Sequence, residues 1–142
     1  MYTFLWPVRI VGVSMEPTLK HGDRIFVSRA ASRLGSHDRS DLIMTRIYDD
    51  SGGRYIIKRI IAKPGDTLVI ENGLVSVNGE SVEFGNFDYV LGSVSVTLDD
   101  DYYFLIGDNH MFSTDSRYFG EFHRRDIKGG VLFRFFGGNI RI

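Results

Sequence analysis

The chain has 142 residues, a normal size for one domain, and at 43% hydrophobic and 25% charged it can bury a globular core. Lys plus Arg number 17 and Asp plus Glu 18, a net charge of -1, and without a basic run this balance gives no electrostatic case for nucleic acid. Cysteine is absent, which excludes a disulfide scaffold, a thiolate metal site and a cysteine nucleophile.

The apolar stretch from Met1 to Val13 is interrupted by Pro7 and Arg9. No segment reaches the roughly 18 apolar residues of a transmembrane helix. The stretch also lacks a basic region followed by an apolar one, so it does not read as a signal peptide, and a soluble or peripheral chain is expected. Beyond it, short β-branched and aromatic runs alternate with Gly, Asp and Asn turns, the pattern of a mostly β domain. The expected strands are Arg9–Val13, Arg24–Ser28, Leu42–Ile47, Arg54–Ala62, Thr67–Glu71, Leu74–Val77, Val94–Leu98, Tyr102–Ile106 and Gly130–Phe136. Glu71-Asn72-Gly73-Leu74 places Asn-Gly between two apolar runs, a strong hairpin signal, and Val77-Asn78-Gly79-Glu80 repeats it. Helical signals are few. Glu16–Leu19 is expected to form a short turn of helix with Pro17 in its first turn, and residues Ala30–Arg39 a loop or short helix. Gly137-Gly138 marks a turn before a short last strand.

Three segments carry chemistry. In the first, a strand runs into a turn at Ser14, where a hydroxyl and the surrounding amides can face the same way, as an acyl-transfer nucleophile and oxyanion hole require. An isolated serine at a turn is most often structural. In the second, Tyr55 to Asp66, Lys58 shares a strand face with Ile56 and Ile60. Desolvation there would disfavour the ammonium and make the amine a base. The same residue on an edge strand would only lay its stem over apolar neighbours. In the third, Gly107 to Gly120, a polar loop follows an aromatic strand, and Ser113, Asp115 and Arg117 fall on alternate positions; an Asx- and Ser-rich turn has the same composition.

Taken together these segments resemble the type I signal peptidases. Gly12-Val13-Ser14-Met15-Glu16-Pro17-Thr18-Leu19 looks like the family's nucleophile motif, S-M-x-P-T-L. Tyr55 to Asp66 resembles its lysine motif, Y-x-K-R-x-x-x-x-P-G-D, with one extra apolar residue before the lysine. Gly107 to Gly120 matches its third signature, G-D-N-x-x-x-S-x-D-S-R-x-x-G, without a gap, and Arg125 to Phe135 is similar to its C-terminal strand.

The resemblance implies one catalytic domain over residues 1–142, mostly β, with a coiled antiparallel, barrel-like sheet and few short helices. It implies a serine endopeptidase acting by a Ser/Lys dyad on signal peptides or propeptides after small residues. Ser14 would be the nucleophile, Lys58 the general base, and Ser113 would hold the Lys58 amine. Asp115 and Arg117 would brace the loop and Asp108 would pair with Arg59, while Met15 and Pro17 would border the substrate groove. The Ser14 amide would be one oxyanion donor. The second falls at Gly12, which offers no hydroxyl. No cofactor and no metal are implied. The four histidines (His21, His37, His110 and His123) match no motif position and read as surface residues. The expected partner is a preprotein or signal-peptide substrate, with no nucleic acid, at the extracytoplasmic face of a membrane. Tyr2, Phe4, Leu5 and Trp6 could form a lip resting on the bilayer, the remnant of an anchor, or core. Two other readings stay open: a maturation peptidase for one partner such as a conjugative pilin, and a regulator, either non-catalytic or like the self-cleaving repressors.

Overall fold

Runs rich in Val, Ile, Phe and Tyr pair best on a pleated, half-buried surface, and strands dominate accordingly. The computed structural model describes residues 5–30, 37–85, 87–136 and 139–141. Its strands are β1 (Leu5–Arg9), β2 (Arg24–Ser28), β3 (Leu42–Asp49), β4 (Gly52–Ala62), β5 (Thr67–Glu71), β6 (Leu74–Val77), β7 (Glu80–Ser81), β8 (Val94–Thr97), β9 (Tyr102–Ile106), β10 (Phe122–His123), β11 (Ile127–Phe136) and β12 (Asn139–Arg141). A short helix, α1 (Ser116–Phe119), and 3-10 turns at His110–Phe112 and Arg124–Asp126 accompany them, and Arg29 and Ala30 are also helical.

The larger sheet runs β1-β2-β11-β3-β4-β9-β10, with β12 also on β11, and the smaller runs β7-β6-β5-β8. Every pairing is antiparallel among the described residues. Because β1 and β10 end the larger sheet without meeting, the barrel-like closure expected from the resemblance is replaced by an open sheet. Irregular register in β11 and β4 bends it. Both Asn-Gly turns form as the residue pairs require: Asn72 (φ 51) and Gly73 (φ 82) join β5 to β6, and Asn78 (φ 54) and Gly79 (φ 82) join β6 to β7.

The first strand lies earlier than expected. Leu5–Arg9 pairs with β2, and Gly12, at φ 92, turns the chain out of the extended run proposed for Arg9–Val13. Pro7 is tolerated because β1 is an edge, where its missing N–H is not needed. The helix expected at Glu16–Leu19 is a hydrogen-bonded turn instead, with a cis Glu16–Pro17 bond. Of the segment Ala30–Arg39, Ala30 is helical, residues 31–36 lie outside the described ones, and residues 37–39 are not helical. The Gly137-Gly138 turn lies outside them too, although β12 follows it.

Strand β4 contributes to three apolar clusters. Ile61 joins Leu68, Ile70, Phe104 and Ile106 where the two sheets meet. Ile57 packs with Met15, Leu19 and Ile25. Ile60 packs with Ile43, Leu105 and Phe122. At roughly 1.5–3 kcal/mol for each fully buried aliphatic side chain, this anchors β4 firmly. Flanked by β3 and β9, it is an interior strand from Arg59 on; at Lys58 it pairs only with β3, opposite Ile43.

Candidate active site

Ser14 sits on the loop from β1 to β2. That loop closes on itself: the Ile10 N–H donates to the Asp23 carbonyl and the Gly22 N–H to the Ile10 carbonyl, both at 2.8 Å. The Leu19 N–H reaches the Met15 carbonyl at 2.9 Å, and the Met15 side chain is buried beneath. Asn109 ties the turn from across the molecule. Its backbone N–H donates to the Ser14 carbonyl and its side-chain amide to the Val13 carbonyl, each at 2.9 Å.

Lys58 Nζ lies 2.8 Å from Ser14 Oγ, with the lysine side chain only 3% exposed. Burial drives its pKa down from 10.5 to about 8; the Asp115 carboxylate opposes this, and Arg54 and Arg117 assist it. The amine is therefore substantially neutral just above neutral pH, and a neutral amine can accept the Ser14 proton across that contact.

The loop after β9 supplies the surroundings. Asp115 is 1% exposed and accepts from the Gly107 N–H at 3.0 Å, from the Ser113 hydroxyl at 2.7 Å and from Arg117 Nε at 2.9 Å. Arg117 also donates to the His110 carbonyl at 2.7 Å, which fixes the 3-10 turn. Ser113 was expected to hold the Lys58 amine; its hydroxyl proton goes to Asp115, and its oxygen keeps its capacity to accept. Asp108 pairs with Arg59 through two contacts, at 2.7 and 2.6 Å, and accepts from the Thr18 hydroxyl at 2.5 Å. The nucleophile loop, β4 and the third segment are thus joined at one carboxylate.

Gly107 is where these parts come closest. A Cβ added there would collide with Ser113 Oγ and lie 2.7 Å from the Ser14 carbonyl oxygen. No side chain larger than hydrogen fits.

A cleft of about 460 Å³ opens over the dyad, lined by Val13, Ser14, Met15, Tyr55, Lys58 and Phe112 among others. Of the two residues expected to border a substrate groove, Met15 lines this cleft. Pro17 does not line it: the chain reverses between Ser14 and Leu19 and leaves Pro17 beside a separate depression with Asp88 and His110. Gly12 lines the cleft, but its N–H donates to His21 Nδ1 at 3.0 Å, which removes it as an oxyanion donor. The Ser14 N–H has no protein partner among the described residues.

The histidines also depart from a uniform surface role. His37 is 7% exposed with its ring edge on Tyr103, and burial lowers its pKa. His110 is half-buried against Phe87. Asn109, Gly107 and Thr18 hold the site without having been assigned roles, although all three stand in the motif segments. His21 had no sequence signal. Among the described residues no cluster of three or more His, Cys, Asp or Glu could hold a metal ion.

Known proteins resemble this chain in sequence and in fold. The family model described as signal peptidase, peptidase S26, matches residues 1–136. Signal peptidase I U of Bacillus subtilis (strain 168) is 36% identical over 80% of this chain and 66% of its own length. Signal peptidase I P of Bacillus subtilis subsp. natto is 33% identical over 92% of this chain and 76% of its own. The chain thus spans about two thirds to three quarters of these relatives. A solved signal peptidase I from Enterococcus faecalis V583 superposes with a TM-score of 0.56 at 25% identity, covering 68% of this chain and 97% of that one.

Proposed function

Since the chain belongs to the signal peptidase family, peptidase S26, we propose that it is a serine endopeptidase that cleaves signal peptides or propeptides after small residues, with Ser14 and Lys58 as its dyad. The observation that carries this reading is the 2.8 Å contact between Ser14 Oγ and a buried lysine whose pKa lies near 8.

In this mechanism Ser14 Oγ attacks the scissile carbonyl while Lys58 takes its proton. The Ser14 N–H faces the developing oxyanion. The Lys58 ammonium then gives its proton to the leaving amine, forming the acyl-enzyme. The neutral amine next activates a water, and the acid product leaves as Oγ regains its proton. An extended substrate lies along the cleft, where backbone pairing gives affinity and shallow pockets give selectivity.

The substrate is a preprotein presented at a membrane, on its extracytoplasmic side. No helix among the described residues is long and apolar enough to cross a bilayer. The proposed contact is the N-terminal rim, where the Arg29 guanidinium lies 3.9 Å over the Trp6 ring and Tyr55 meets its edge. Tyr2 and Phe4 of the expected lip lie outside the described residues. Co-sedimentation with vesicles should weaken when Trp6 is replaced.

The central test is cleavage of a preprotein by Ser14→Ala and Lys58→Ala. Each should lose at least about 1,000-fold in kcat, and retained activity in either removes the dyad.

A further inference from the structure

Val11 is 79% exposed and Val13 45%, so packing does little to hold the backbone leading to Ser14. Nothing lies within 4 Å of a Cβ built at Gly12 either. Hydrogen bonds must do the work. Asn109 holds the carbonyls of Val13 and Ser14, and one bond holds Gly12: its N–H to His21 Nδ1 at 3.0 Å. This bond extends the ladder begun by Ile10 with Asp23 and Gly22, a side chain taking over where the backbone pairing stops. An imidazole that accepts at Nδ1 is neutral and carries its proton on Nε2.

We propose that His21 is a positioning residue for the reaction: by accepting the Gly12 N–H it fixes the turn so that the Ser14 N–H, and not that of Gly12, faces the oxyanion. His21 is exposed and stands in none of the three buried clusters, so packing does not explain its place. It acts through Gly12 and touches no reacting atom. The inference rests on the Ser14/Lys58 peptidase reading.

The test compares His21→Ala with His21→Asn, whose side-chain oxygen can occupy the Nδ1 position. Peptide cleavage and hydrogen exchange at the Gly12 amide are measured on the full chain. His21→Ala should lower kcat about tenfold, with KM within about twofold, because the lost interaction matters in the transition state. His21→Asn should recover kcat to within about twofold. Gly12 exchange should accelerate at least about tenfold in the alanine variant only. Unchanged kcat in His21→Ala overturns the proposal, as does an asparagine variant that protects the amide but stays slow. If the wild type neither cleaves peptides nor is acylated by a serine-directed inhibitor, the peptidase reading fails by itself. The exchange data then decide alone whether His21 holds the turn: faster Gly12 exchange in His21→Ala supports it, and unchanged exchange overturns it.

Discussion

The Lys58 amine sets the working pH at the level of single residues. With a pKa near 8, the neutral base becomes about tenfold more abundant for each pH step approaching that value, then saturates. A profile of kcat/KM against pH should rise with unit slope and level off above about pH 8. Arg54 helps to hold that pKa down, so Arg54→Ala should move the rise to higher pH and leave the plateau unchanged. A flat profile from acid to alkaline pH would rule out a lysine base. Gly107→Ala tests the tight approach: its Cβ meets Ser113 and the Ser14 carbonyl, and overpacking of this kind costs about 1–3 kcal/mol, or roughly 5- to 150-fold in kcat. Ser14 and Lys58 were legible in the sequence because the motifs around them carry recognisable spacing. His21 and its bond to Gly12 were not, since a histidine that meets a lone glycine amide leaves no pattern until the loop between them folds.

At the scale of elements, one carboxylate joins three segments. Asp108 is 1% exposed and holds Arg59 of β4 and Thr18 of the nucleophile loop. Removing it strands the Arg59 guanidinium, whose side chain is 14% exposed. Breaking a buried pair from one side costs about 3–5 kcal/mol. Asp108→Ala should therefore lower Tm by about 10 °C in thermal unfolding, and a drop of only a degree or two would show that Arg59 finds water or Ser40 sufficient. The hairpins β5-β6 and β6-β7 were readable because Asn-Gly alone decides a turn. Strand β1 was placed late, because Arg9–Val13 has strand-like composition and only the positive φ at Gly12 ends it. The two-residue strands β7 and β10 are too short to show any alternation.

Across the whole molecule, the chemistry that Lys58 supplies carries a cost in folding. The unfolded chain keeps a proton on this lysine up to pH 10.5, the folded chain only to about 8. Between those values the unfolded state binds one more proton, so stability rises with pH through this window. Below about pH 8 the penalty is fully present, and the drop in pKa corresponds to about 3 kcal/mol. At 3% exposure, solvent screening relieves little of it. Lys58→Met removes the charge while filling similar space. After allowing about 1 kcal/mol for the lost contact with Ser14, it should be about 2 kcal/mol more stable than the wild type near pH 7. Urea unfolding of both proteins from about pH 7 to about pH 10 checks this: the wild type should gain on the variant as pH rises through the window. Parallel curves would mean that Lys58 keeps its proton when folded, and the general-base role would fall with the stability argument.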